Sequence, residues 1–283
     1  MGVKQYGNAL GHKIILKLYK LLGYRFVSFI LNFVAFYYAL FTPSVKKSLQ
    51  SYYDHLGIKL TCKQYFFHIR NFAYTILDRY ISRIKPDELD FERENREIFM
   101  GLQEGGIVLL SHIGGWATAG YSLQAKIPPM HIVMREAQQD KIKRLERDKK
   151  RSNESSVKII DLNDGAIAAN IQIANVLMAN EVVAMMADRV VEGSKSIEVV
   201  FLGSKVCINR NPFDIAYRFK KKLVATFVIH IGLAKYKLIF KEINIEGQTL
   251  EEVAQEYMNI LEDIIKLYPN QWYNFYDFFN QSK

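Results

Sequence analysis

The sequence predicts an α/β fold, a mainly parallel sheet flanked by helices, with an N-terminal helical membrane-anchoring segment ahead of it. Three observations carry this expectation. From Gly105 onward, short β-rich runs alternate with helical stretches, and that order implies crossover units and parallel strands covered on both faces. Upstream, apolar and aromatic residues recur at spacings of three and four, as in KQYFFHIRNFAYTILDRYI, the period of an amphipathic helix. Within that part, residues 26–41 (FVSFILNFVAFYYALF) carry no charge and stop just before Pro43. The chain therefore divides into a helical membrane-associated region, 1–95, and an α/β domain, 96–283.

Composition narrows the function classes. With 283 residues and 49% apolar side chains the chain can bury a full core. Its 18 Phe and 17 Tyr exceed what a core needs, and surplus aromatics favour a boundary between water and an apolar phase. A net charge of +9 points to an anionic partner: phosphate-bearing lipid, an acidic protein or nucleic acid. The uncharged aromatic segment argues against a nucleic-acid binder, so no nucleic acid is expected. Cys62 and Cys207 stand far apart without CxxC spacing or a histidine cluster, which indicates neither a metal site nor a disulfide framework and suits a reducing compartment. Residues 1–20 alternate charged and apolar residues without a small-residue cleavage site, so no cleavable signal is expected.

The elements follow in order. A spanning helix needs about 20 apolar residues; residues 26–41 fall short, although Leu21 and Leu22 could extend the segment past Arg25 if that side chain snorkels. Arg25, Ser28 and Asn32 fall at helical spacing, a polar stripe that suits a helix lying in the membrane interface. Lys13, Lys17, Lys20 and Arg25 precede the segment and Lys46 and Lys47 follow it. The flanks thus set no orientation, and monotopic attachment to the cytoplasmic face is the simplest expectation. Strands are expected at GIVLLS, HIVM, VKIID and EVVAMMAD. Helices are expected after Trp116, around 141–150 and over 164–179. SIEVVFLG, KLVATFVIHI and YKLIFKEINI add strands, the last two pairing as an antiparallel hairpin. Thr249 and Glu252 have capping-box spacing and open a closing helix with Val253, Tyr257, Ile260, Leu261 and Ile264 on one face.

The stretch IVLLSHIGGWATAG, residues 107–120, holds the chemistry. In an open parallel sheet ligands bind beyond the carboxyl ends of the strands, and His112 follows such a strand directly. Gly114 and Gly115 let the backbone approach a substrate or turn sharply toward a helix. A neutral imidazole here could accept a proton from an attacking hydroxyl, given a carboxylate to hold its tautomer. Alternatively, His112 is a satisfied loop histidine and the glycines form a turn. Neither GxGxxG nor a P-loop lysine is present, which weakens a nucleotide-binding reading. Arg135 could hold a phosphate, or pair with Glu136 at a strand end. Asp188 and Arg189 could line the cleft or cap a turn, and Asn211-Pro212 reads as a helix start. The run KIKRLERDKKR is a solvated helix face with enough positive charge to dock an acidic protein or lipid headgroups. Trp272, Tyr273, Phe275, Tyr276, Phe278 and Phe279 are expected both to cover the core and to touch membrane.

LLSHIGGWATAG resembles the active-site block of the bacterial lipid A (lauroyl/myristoyl) acyltransferases, members of the lysophospholipid acyltransferase superfamily, which carry His, four residues, then Asp or Glu. Three further blocks resemble theirs in the same order: HIVMREA, the stretch from VVAMMADRVVEG to NPFDIAYR, and the closing YPNQWYNFYDFF. The resemblance implies a membrane-bound enzyme of the bacterial inner membrane. It would move a fatty acyl group from acyl carrier protein or coenzyme A to a hydroxyl of a lipid acceptor, without a cofactor. His112 would be the general base. Backbone amides around Gly114 and Gly115 are candidates for the oxyanion donors, and Trp116, Arg135 and Arg189 join them as substrate-binding candidates. One departure stands out: Ala117 occupies the position of the family acid, and alanine cannot orient an imidazole. Either another carboxylate, Glu136 or Asp188, substitutes, or the protein has become a catalytically silent lipid-binding relative, or the acid was replaced by design.

Overall fold

The computed structural model describes residues 9–119, 128–135, 157–190 and 193–280. The N-terminal part is helical: α1 (Ala9–Phe41), α2 (Pro43–His55) and α3 (Cys62–Ile84). Gly23, at φ 78° and ψ 177°, breaks α1 into two helical pieces, so Leu21 and Leu22 do not prolong the apolar segment in a straight line. Pro43 opens α2, and the part of α1 from Lys13 meets α2 at 88°. Among the described residues no single helix is long and apolar enough to cross a membrane; only this bent pair passes that test together. Thr61 caps α3 with a full capping box to Gln64.

Nine strands follow among the described residues. They are β1 (Asp90–Glu94), β2 (Gly106–Leu110), β3 (Met130–Met134), β4 (Val157–Asp161), β5 (Val182–Met186), β6 (Ser196–Phe201), β7 (Ser204–Asn209), β8 (Leu223–Gly232) and β9 (Lys235–Ile243). Between them lie helices α4 (Arg96–Met100), α5 (Trp116–Ala119), α6 (Ala166–Met178) and α7 (Asn211–Phe219), and α8 (Leu250–Leu267) comes after the last strand. Seven strands form one sheet in the order β1-β9-β8-β2-β5-β3-β4. Its pairings are parallel except for β8 with β9, the expected antiparallel hairpin. The fold is thus mixed α/β with a mainly parallel sheet. Central strands read as unbroken apolar runs because both faces are covered: Ile107 and Leu109 face one core cluster while Val108 and Leu110 face the other.

One expectation fails here. Helix was expected up to residue 95, but Asp90–Glu94 is an edge strand parallel to β9. Its sequence DFERE shows no apolar alternation, and Lys237 pairs with Glu94 at 2.6 Å across the edge. The SIEVVFLG strand is present as β6, and with β7 it forms a separate antiparallel ribbon. The helix expected over 141–150 lies outside the described residues. α7 starts at Asn211-Pro212 as expected, and α8 carries the predicted Thr249–Glu252 capping box.

Candidate functional site

Strands β2 and β5 are adjacent and parallel, with Gly106 opposite Val182 and Leu110 opposite Met186. Two residues past each strand end, the same offset sets His112 opposite Asp188, and the Ala187 N–H donation to the Leu110 carbonyl (3.0 Å) continues the ladder. Backbone pairing alone therefore brings the two side chains together. His112 Nδ1 lies 2.8 Å from Asp188 Oδ1, and the His112 backbone N–H donates to Oδ2 at 2.9 Å. Trp272 Nε1–H donates to the same Oδ2 at 3.0 Å.

Asp188 is fully buried. Burial by itself raises a carboxyl pKa, but the His112 imidazole, the Arg189 guanidinium and the donated hydrogen bonds outweigh it, and Asp188 stays well below the usual carboxylate range. For His112, burial lowers the pKa more than the Asp188 carboxylate raises it, and the Arg189 charge lowers it further. The imidazole is therefore neutral at pH 7, with its Nδ1–H held by Asp188 and its Nε2 lone pair unengaged among the described residues. Its side chain keeps 26% of its surface accessible. An oriented neutral imidazole with one free nitrogen is a proton acceptor.

The glycines are explained by close approach. A Cβ on Gly114, at φ 56°, would stand 1.9 Å from the Val228 carbonyl oxygen, and one on Gly115 would stand 2.4 Å from the Tyr236 ring. Their amides, expected as oxyanion donors, are engaged inside the fold: Gly114 N–H donates to the Gln271 carbonyl and Gly115 N–H to the Val228 carbonyl, each at 2.8 Å. The closing segment locks this loop. Ile113 pairs with Trp272 in an antiparallel bridge, Tyr273 N–H donates to the His112 carbonyl at 2.8 Å, and the Gln271 side-chain amide bonds both backbone groups of His230. His68, fully buried and kept neutral with its pKa lowered to about 3 by burial, contacts the Trp272 carbonyl at 3.1 Å.

The remaining candidates are distributed as follows. Ala117 is half-buried on α5 and faces a need already met, since the imidazole nitrogen that an acid at 117 was expected to reach is bonded to Asp188. Trp116 presents its ring edge-on to His112, centroids 6.3 Å apart. Arg135 is exposed just past β3, and Glu136 lies outside the described residues. Arg189 donates to the Tyr273 carbonyl and lies over the Tyr276 ring at 5.2 Å, with its Nε buried and unpartnered. Trp272, expected partly at a membrane, is fully buried, and Tyr273 and Phe278 are buried with it while Phe275, Tyr276 and Phe279 pack on the core. The sequence reading thus missed Trp272 and Gln271 as supports of the site. The available signal was that a buried indole N–H must find an acceptor.

The chain belongs to the bacterial lipid A biosynthesis acyltransferase family, whose model matches residues 70–280. Membership implies an acyltransferase that acts on a lipid acceptor. The match begins within α3, so α1 and α2 lie ahead of it. No curated protein matches the chain closely enough to add to this.

Proposed function

We propose that the protein transfers a fatty acyl group from a thioester, carried by acyl carrier protein or coenzyme A, to a hydroxyl of a lipid A precursor or related glycolipid or lysolipid, with His112 as general base. The observation that carries this reading is the His112–Asp188 pair at the carboxyl edge of the sheet, one imidazole nitrogen held and the other free. The acceptor hydroxyl gives its proton to Nε2 as its oxygen attacks the thioester carbon. The tetrahedral oxyanion then collapses, the carbon–sulfur bond breaks, and the thiolate leaves with the proton returned by the imidazolium. Asp188 fixes the tautomer and stabilises the imidazolium.

Membrane attachment is part of the proposal and rests on α1. Phe26, Phe29, Phe33, Phe36, Tyr37, Leu40 and Phe41 are all exposed, from 42% to 65%, and recur at helical spacing along one face. Of the expected polar stripe Arg25 stays exposed, Ser28 is buried and bonds the Tyr24 carbonyl, and Asn32 is half-buried and folds back onto the Ser28 carbonyl of its own helix. Beyond Arg25 the outward face is mostly apolar, flanked by exposed Lys17, Lys20, Lys46 and Lys47, the pattern of a helix lying in the interface. We place the protein on the cytoplasmic face of a bacterial inner membrane.

The test is transfer by the purified protein from acyl carrier protein thioester to a lipid A precursor, read by mass spectrometry of the product. His112→Ala should lower the rate by about 10²- to 10⁴-fold with folding unchanged. Retained turnover in the variant would sink the general-base role. An inactive wild type that still binds the lipid tightly would favour the second reading, a silent relative, which Ala117 motivates.

A further inference from the structure

Among the described residues the Asp188 carboxylate accepts three hydrogen bonds, and two of them come from the residue it has to orient. His112 supplies its Nδ1–H to Oδ1 and its backbone N–H to Oδ2. The third donor, Trp272 Nε1–H at 3.0 Å from Oδ2, is the one that does not belong to His112. Take it away and the carboxylate and the imidazole are hydrogen-bonded only to each other. With it, donors from two separate segments meet at one oxygen, which fixes the carboxylate plane and leaves Oδ1 aimed at Nδ1.

Trp272 is itself held at both ends. Its ring is fully buried against Tyr52, Phe201 and Phe278, with centroids 5.2, 5.3 and 4.9 Å away. Its carbonyl lies 3.1 Å from His68 Nε2. A carbonyl can only accept, so the neutral His68 ring carries its proton on Nε2, and Nδ1 faces the Tyr53 hydroxyl at 3.5 Å. In the same closing segment Tyr52 donates to the Pro269 carbonyl at 2.9 Å. Tyr52 lies on α2 and His68 on α3, both ahead of the residues 70–280 that match the family. A line of contacts therefore runs from the N-terminal helices to the base: His68, Trp272, Asp188, His112.

We propose that Trp272 is a positioning residue for the His112–Asp188 pair and that His68 holds Trp272 in place, so that helices ahead of the family match set the geometry of acyl transfer. The proposal rests on the reading of His112 as general base. The indole N–H also draws charge from the carboxylate. Removing it makes Asp188 a stronger partner for a protonated imidazole, so His112 would titrate at higher pH. A role in packing alone predicts no such change.

The experiment uses the full chain. Trp272 is replaced by codon suppression with β-(3-benzothienyl)alanine, which keeps the fused ring but puts sulfur where the N–H was. As a control it is replaced with fluorotryptophan, which keeps the N–H. One readout is transfer from acyl carrier protein thioester to a lipid A precursor; the other is the titration midpoint of the His112 ring by nuclear magnetic resonance, assigned with His112→Gln. The sulfur analogue should lower kcat about 10- to 100-fold with KM for the acceptor unchanged, and should raise the His112 midpoint. Fluorotryptophan should do neither. His68→Leu should move both readouts in the same directions by less, and His68→Gln, whose Nε2 can reach the same carbonyl, should restore them. The charged groups that act on the imidazole, Asp188 and Arg189, are the same in all these proteins. A rate loss with the midpoint unmoved would reduce Trp272 to packing, and an unchanged rate and midpoint in the sulfur analogue would overturn the proposal outright. Unchanged readouts in a folded His68→Leu would remove His68 from it. If the wild type transfers no acyl group, the general-base reading fails, while a raised midpoint in the sulfur analogue still supports Trp272 as the residue that positions the pair.

Discussion

Replacing Asp188 by asparagine would put an amide N–H where His112 Nδ1 now meets a carboxylate oxygen. With Oδ2 bonded by two N–H donors, the amide nitrogen is forced to the Oδ1 side. Nδ1 would then have to accept, the proton would move to Nε2, and the base would be lost. The analogous exchange in the serine-protease triad costs about 10⁴-fold, and a comparable fall in transfer rate with little change in acceptor binding is expected for Asp188→Asn. Single-turnover assays with acyl carrier protein thioester would check it, and a loss below tenfold would remove Asp188 from the mechanism. The converse substitution, Ala117→Glu, should not raise the rate, because Asp188 already holds Nδ1 and a second carboxylate near it brings like-charge repulsion. An increase on the same assay would show that the acid position still matters. At this scale the sequence was half legible. His112 stood out because a histidine after a buried run is unusual, and Asp188 came second among alternatives, since its partner is set by strand order rather than by any local pattern.

Among the elements, α1 makes the clearest demand on its surroundings. Phe33 and Phe36 are 62% and 57% exposed, and burying each such side chain in lipid contributes about 1.5–3 kcal/mol. The double variant Phe33→Glu, Phe36→Glu should therefore weaken vesicle binding by at least about 100-fold while the melting temperature stays near that of the wild type. Flotation and circular dichroism together would check this. Unchanged flotation would exclude this face as the membrane contact. The uncharged run was plain in the sequence, but which way Ser28 faces was not. Tyr74 and Asp78, far along the chain, draw the polar side of α1 inward. β1 was missed for a related reason: its charged residues satisfy a strand edge only once Lys235 and Lys237 are beside it.

Across the whole molecule, buried Asp78 ties three layers together. Tyr24 of α1 donates to it at 2.8 Å and Tyr236 of β9 donates to its other oxygen, while the Tyr236 ring supports Gly115. Burial, only partly offset by these two donors, raises the Asp78 pKa to about 6. The folded chain thus holds a proton that the unfolded chain has released between about pH 4 and 6, so this group's contribution to stability declines as pH rises through that window, by on the order of 2–4 kcal/mol. Relative to the wild type, Asp78→Asn should lack that decline when urea midpoints are compared from pH 4 to 7. Parallel pH profiles for the two proteins would exclude this role of Asp78.

The ladder between β2 and β5 has a consequence for how such a chain tolerates changes of length. The meeting of His112 and Asp188 depends on the pairing offset of two neighbouring strands and not on the number of residues that connect them. Insertions or losses in the long connection between the Gly114-Gly115 turn and β5 leave the pair untouched so long as the strands align. A single residue removed inside either strand would turn one of the two side chains to the opposite face of the sheet. Length variation among related chains should therefore collect between the Gly114-Gly115 turn and β5 and stop short of both.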